Sequence, residues 1–167
     1  LIHALRRNVN IKILLNDLVH RQRMPLMERN RMLRAMTPEV AALVLANNYR
    51  QAMALSLAQA SAVAAADQNE RLMRRLESEG KLDRALECLP SDEELQARRE
   101  LGAGLTRPEL AVLVSYAKIE LKQALVASPI VHDPRFSAAL HSAFPASLLA
   151  TFPEAVNGHP LRAEIAA

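Results

Sequence analysis

A chain of 167 residues, half of them apolar, is long enough to bury a core of ordinary domain size. Its 29 Ala and 27 Leu, against 10 Val, 6 Ile, 3 Thr and 4 Gly, favour straight-chain helix formers over the residues that sheets and hairpins need, so the chain is read as all-α. The net charge of +3 is uneven: residues 1–34 hold eight Lys/Arg against two acids, yet no aromatic interleaving, zinc finger or helix-turn-helix pattern accompanies them, and nucleic acid is not expected as a partner.

In chain order, Val9, Ile13, Leu14 and Leu18 recur at helical spacing, and Met24-Pro25 ends that helix because proline lacks an N–H and disfavours helix at the residue before it. A short helix follows over Leu26 to Met36, with the mixed stripe of a surface element. Thr37-Pro38-Glu39 is a helix start, with Thr37 as cap, Pro38 in the first turn and Glu39 complementing the dipole. Nothing breaks that helix before Ser78-Glu79-Gly80 unless Asn47-Asn48 does; the expected architecture is a multi-helix bundle with one long central helix, occupying residues 1–167 as a single helical domain or domain fragment. Its stretch Ala52 to Ala66 carries no charge and is expected to be buried, within the chain or in a longer protein. The charged run after it is read as a solvated face with the pairs Glu70/Arg74 and Arg75/Glu79.

Leu82, Leu86 and Leu89 suggest a short helix ended by Pro90. Ser91 and Glu94 spell a capping box whose helix stops at Gly102, and Thr106 and Glu109 a second one, followed by an apolar stripe at Leu110, Leu113, Val114, Ala117, Leu121 and Leu125. Asp133-Pro134 starts a further short helix, and Ser147 to Val156 another, disturbed near Pro153. The final His159-Pro160 start has only two turns behind it, and the chain lacks an initiator Met; both ends are read as cut from something longer.

Chemistry is not readable from these residues. Cys88 is the one cysteine, read as a small semi-buried hydrophobe near a helix end, and the histidines at 3, 20, 132, 141 and 159 are scattered singly, so no metal site is expected. Gly102 and Gly104 form only GAGLT, a helix stop and linker, without the strand and further glycine of a dinucleotide loop. No Ser-His-Asp or Cys-His arrangement can be assigned, so no catalytic, cofactor-binding or metal-binding residue is expected in the chain. No secretory signal opens the chain, the uncharged piece of the Val40 to Ala66 run after Arg50 is too short and too Ala-rich to span a bilayer, and the expected compartment is the cytoplasm, with no membrane partner.

Five ordered strings carry a resemblance: VNIKILLNDLV from Val9, MTPEVAALVLANNYRQAMALSLAQA from Met36, LDRALECLPSDEEL from Leu82, GLTRPELAVLVSYAKIEL from Gly104 and HPLRAEI from His159. Together they resemble the large bacterial NAD-specific glutamate dehydrogenases over nearly the whole chain. The resemblance implies a very long polypeptide that oxidatively deaminates L-glutamate with NAD to 2-oxoglutarate, ammonium and NADH. This chain would be a stretch of its helical C-terminal part, the catalytic lysine and cofactor loop lying outside it. In the family a Ser-Asp-His-Glu run precedes Val-Asn-Ile-Lys, whereas Leu5, Arg6, Arg7 and Asn8 stand there here, so no catalytic residue is carried over. NAD is expected in the parent enzyme and not on this segment. The expected partners are the catalytic domain of the same polypeptide and the subunits of a homo-oligomer. A regulatory effector-binding domain and an unrelated helical interaction scaffold stand as alternatives.

Overall fold

The computed structural model describes residues 2–166, with side chains described over 9–165 apart from 132 and 136. The described residues contain no strand, and the chain is all-α as expected. It divides into two compact units, Leu1–Asn48 with Lys122–Ala167, and Tyr49–Leu121.

In the first unit, α1 (Ile2–His20) buries Ile11, Leu14, Leu15 and Leu18, whose spacing of three, four and seven puts them on one helix face. The expected stripe is rotated, since Val9 is 50% exposed and Ile13 half-buried. Leu5, Arg6, Arg7 and Asn8 fall within α1, but their side chains lie outside the described part. Gln22 ends this helix in the left-handed region (φ 57°), where its N–H donates to the Val19 carbonyl and that of Arg23 to the Leu18 carbonyl. After Pro25, α2 (Leu26–Ala35) buries none of its residues, in keeping with a surface element.

The helix α3 (Thr37–Ala60) begins directly after Met36. Thr37 does not cap it: its hydroxyl donates to the Leu33 carbonyl at 3.3 Å. The reason is that α2 runs into α3 across one residue, so carbonyls of the preceding turn, rather than orphan N–H groups, surround that hydroxyl. Glu39 instead accepts from the Ser147 N–H at 3.1 Å, and the hydroxyl and N–H of Ser147 hold its carboxyl below the ordinary value.

Between α3 and residue 129 the chain forms α4 (Ala66–Ser78), α5 (Asp92–Glu100) and α6 (Arg107–Ala127), and from 129 onward two 3-10 turns (Pro129–His132, Pro134–Phe136) and the short helices α7 (Ser137–His141), α8 (Ala146–Thr151), α9 (Pro153–Asn157) and α10 (Arg162–Ala166). Individually too short to be stable, these pieces are held by packing Leu140, Phe144, Leu148 and Val156 against the α1 face. His159, 2% exposed, joins them to α1: Nδ1 accepts from the Leu161 N–H at 3.0 Å while Nε2 lies 3.1 Å from the Asn10 carbonyl. That pattern assigns the neutral ring with its proton on Nε2.

The expected helix from Thr37 to Ser78 is two helices, and the second unit begins within the first of them, at Tyr49. The break falls at Ser61–Ala65, not at Asn47-Asn48, and α4 (Ala66–Ser78) follows. Two features act there. The Ser61 hydroxyl bonds back to the Leu57 and Ala58 carbonyls, a local competitor for helical geometry, and Ala62 is buried where Gly104 packs against its backbone. Within this chain Ala62 is the one buried residue of the stretch from Ala52 to Ala66, so burial there is not achieved by the chain itself.

Met73 and Leu76 of α4, with Leu82, Leu89, Leu105, Leu110 and Leu113, form the core of this unit. The segment carrying Leu82, Leu86 and Leu89 is a run of turns rather than a helix. The Asp83 carboxylate takes the Leu86 N–H at 3.0 Å, and Cys88 adopts φ 54°, which no helix admits. Leu82 and Leu89 are buried, whereas Leu86 is exposed and Cys88 is an exposed free thiol instead of a semi-buried one. Then α5 (Asp92–Glu100) opens on the complete Ser91–Glu94 capping box and closes at Gly102 (φ 66°), and α6 (Arg107–Ala127) follows the Thr106 start. Of the stripe expected on α6, Leu110 and Leu113 are buried and Leu121 is exposed.

Candidate functional site

Many of the charged side chains of the second unit pair with one another. Arg99 of α5 reaches Asp67 at 2.8 Å and Glu70 at 2.7 Å on α4, Glu70 pairs with Arg74, and Arg74 reaches Asp92. Asp92 in turn holds Arg84 at 2.7 Å, which also meets Glu77 at 2.7 Å. Signs alternate along this string, and the Arg84 guanidinium keeps the Asp92 carboxyl below its ordinary value. Carboxylates so engaged staple α4 to α5 and the intervening turns. The pairs Glu70/Arg74 and Arg75/Glu79 form as the spacing implies.

Glu109 is tied in the same manner. Burial pushes its carboxyl up, but the Arg98 guanidinium, bonded through both nitrogens at 2.7 and 2.9 Å, and the Thr106 N–H at 2.6 Å together bring it below the ordinary value. The Tyr116 hydroxyl donates to Glu87 at 2.7 Å, which raises its pKa and makes it a poorer acid. Among the described residues no three His, Cys, Asp or Glu side chains gather where an ion would be held.

The feature left open is apolar. In the first unit, Ile11 of α1, Leu33 and Met36 around the end of α2, and Val40, Ala41, Val44 and Leu45 of α3 line a cleft of about 520 Å³. Its one lining polar side chain, Thr37, already donates to the Leu33 carbonyl. Met36 and Ile11 form its floor at 2% exposure each, whereas Leu45 on the rim is 68% exposed. With no titratable group on its walls, the cleft can take up hydrocarbon and little else. A signal for it was present in the sequence: Leu33, Met36, Val40 and Val44 keep helical spacing across the junction of α2 and α3, which is hidden when the two helices are read separately.

Comparison with known proteins bears on this surface. The family model described as bacterial NAD-glutamate dehydrogenase, catalytic domain, matches residues 2–58, and the one described as glutamate dehydrogenase, C-terminal, matches residues 102–167. The chain belongs to the large bacterial NAD-specific glutamate dehydrogenases. It is 52% identical over 157 residues to the NAD-specific glutamate dehydrogenase of Pseudomonas aeruginosa, covering 94% of this chain and 10% of that protein. The enzymes of the same name from Halomonas elongata and Mycobacterium tuberculosis are 43% and 38% identical, over 95% and 94% of this chain and again 10% of each relative. The chain therefore spans about a tenth of the length of the curated relatives it matches. Every residue lining the cleft lies inside the catalytic-domain match. No described helix is long and apolar enough to cross a membrane.

Proposed function

We propose that this chain is the helical junction between the catalytic domain and the C-terminal region of a cytoplasmic NAD-specific glutamate dehydrogenase. The whole polypeptide converts L-glutamate, NAD+ and water to 2-oxoglutarate, ammonium, NADH and a proton. The observation that carries this reading is the succession on one chain of a catalytic-domain match over residues 2–58 and a C-terminal match over 102–167. On this reading the segment binds neither NAD nor glutamate. Its task is structural: to pack on the catalytic domain of the same polypeptide or on a neighbouring subunit of a homo-oligomer. The internal pairing of its carboxylates supports that role, since a rigid spacer needs its charges satisfied locally.

The test compares the full-length polypeptide with the isolated 167 residues. Glutamate-dependent NADH formation is expected from the first and none from the second. A full-length protein that leaves NAD+ unreduced by glutamate, or an isolated chain that reduces it, overturns the reading.

A further inference from the structure

We propose that the apolar cleft between α1, α2 and α3 receives the remainder of the catalytic domain of the same polypeptide, the part that precedes residue 2 in the full-length chain. This rests on the dehydrogenase reading above and names which surface does the packing and what covers it.

Three observations point the same way. The cleft is hydrocarbon-lined, with Ile11 and Met36 at its floor and Leu45 at its rim, so its occupant is apolar, such as a leucine or aromatic side chain. All its lining residues belong to the catalytic-domain match, which accounts for residues 2–58 here, while the relatives are about ten times as long as the region matched. The surface thus belongs to a catalytic-domain match, and about nine tenths of each relative lies outside the region matched.

Charge then decides between that occupant and a second copy of this chain. Residues 1–34, from which Ile11 and Leu33 come, hold eight Lys/Arg against two acids, and Arg31 and Arg34 of α2 make no ion pair among the described residues. Two copies meeting through this face would oppose positive charge to positive charge, whereas an occupant whose apolar group is rimmed by carboxylates would be drawn to it.

The experiment uses the full-length polypeptide with the photoreactive residue p-benzoylphenylalanine in place of Ala41 and, in a second variant, of Leu45, which is already exposed and whose replacement leaves the core intact. Ordinary and nitrogen-15-labelled protein are mixed before irradiation, so that peptides joined within one polypeptide are told apart by mass from those joined between two. Cross-links from both positions to peptides preceding residue 2, within one polypeptide, are expected. Cross-links solely between polypeptides would put a second copy there, and cross-links solely within the 167 residues, or none to protein, would leave the cleft without this partner; each overturns the proposal. Glutamate-dependent NAD+ reduction by the same unirradiated preparation separates the two ideas: a silent enzyme with the intrachain cross-link present defeats the dehydrogenase reading and leaves the docking surface standing.

Discussion

Gly104→Ala puts a methyl group where the structure has no room for one. A Cβ on Gly104 would lie 2.5 Å from the carbonyl carbon and oxygen of Ala62 and 2.9 Å from its Cβ. Carbon atoms rest at about 3.5–4.0 Å, so the backbones must part by about 1 Å, and no rotamer change relieves a clash with main chain. Overpacking of this kind costs about 1–3 kcal/mol, and contact with backbone argues for the upper half. Alanine restricts the unfolded chain and returns about 0.4–1 kcal/mol, leaving a net loss of about 2 kcal/mol. For a chain of 167 residues that corresponds to a fall in melting midpoint of roughly 4–8 °C. Thermal and urea unfolding of the 167-residue chain, followed by circular dichroism, measures it. Gly102→Ala is the internal control: its φ of 66° is unfavourable to alanine, but a Cβ there meets nothing within 4 Å, so only the left-handed penalty of about 1–2 kcal/mol applies. Adding Ala62→Gly to Gly104→Ala removes the 2.9 Å contact and not the 2.5 Å ones, and should restore only part of the loss. If Gly104→Ala melts like the unmodified chain while Gly102→Ala does not, the close approach to Ala62 is not what sets the break between α3 and α4.

Gln22→Gly should stabilise the chain by about 1 kcal/mol, because glycine accepts the φ of 57° that glutamine holds under strain; a lower midpoint by circular dichroism would contradict it. Ser91→Ala removes one half of the capping box on α5 and should cost about 1 kcal/mol in urea titrations. The carboxyl of Glu109 is lowered from 4.5, so the stability it contributes is fully present above pH 4.5 and is lost as pH falls through its lower folded value; Glu109→Gln should flatten that part of the pH–stability curve, and an unchanged curve would count against the Arg98 clamp. His159→Phe keeps a ring beside Phe144 but leaves the Leu161 N–H without its acceptor, for an expected loss of about 1–3 kcal/mol measured by thermal unfolding.

Local signals that act through the backbone were legible in the sequence. The capping box at Ser91 and the stops at Gly80 and Gly102 each depend on a few adjacent residues and appear where those residues stand, whereas α1 stops at His20, ahead of Pro25, with Gln22 in the left-handed region. What was not legible depends on residues far apart. Thr37 has the composition of a cap, but whether a hydroxyl meets orphan N–H groups or carbonyls is decided by how the previous helix ends. The break at Ser61 needs Gly104, more than forty residues away, to press on Ala62. His159 reads as one isolated histidine, and only the fold brings it to the Asn10 carbonyl. The cleft is half of this class: Leu33, Met36, Val40 and Val44 keep helical spacing in the sequence, but only the fold brings Ile11 of α1 to them.

The uncharged stretch of α3 beyond Gln51 combines exposure with a polar chemistry that suits being covered. In this chain Ala52, Met53, Leu57 and Ala60 are exposed, with Leu57 at 66%. The Ser56 hydroxyl donates to the Ala52 carbonyl and the Ser61 hydroxyl to that of Leu57, so both serines spend their donors on their own helix. The side-chain Oε1 of Gln59 accepts from the Arg107 guanidinium at 2.9 Å. A second surface can therefore close over the two serines without stranding a hydroxyl donor, which is the usual penalty for covering polar groups, and need only offer an acceptor to the Gln59 amide N–H groups. A face maintained for water alone would gain from Lys or Glu at such positions and has none, although 23% of the whole chain is charged. The absence of charge and the internal satisfaction of the hydroxyls are separate properties of the sequence, and a covered helix requires both.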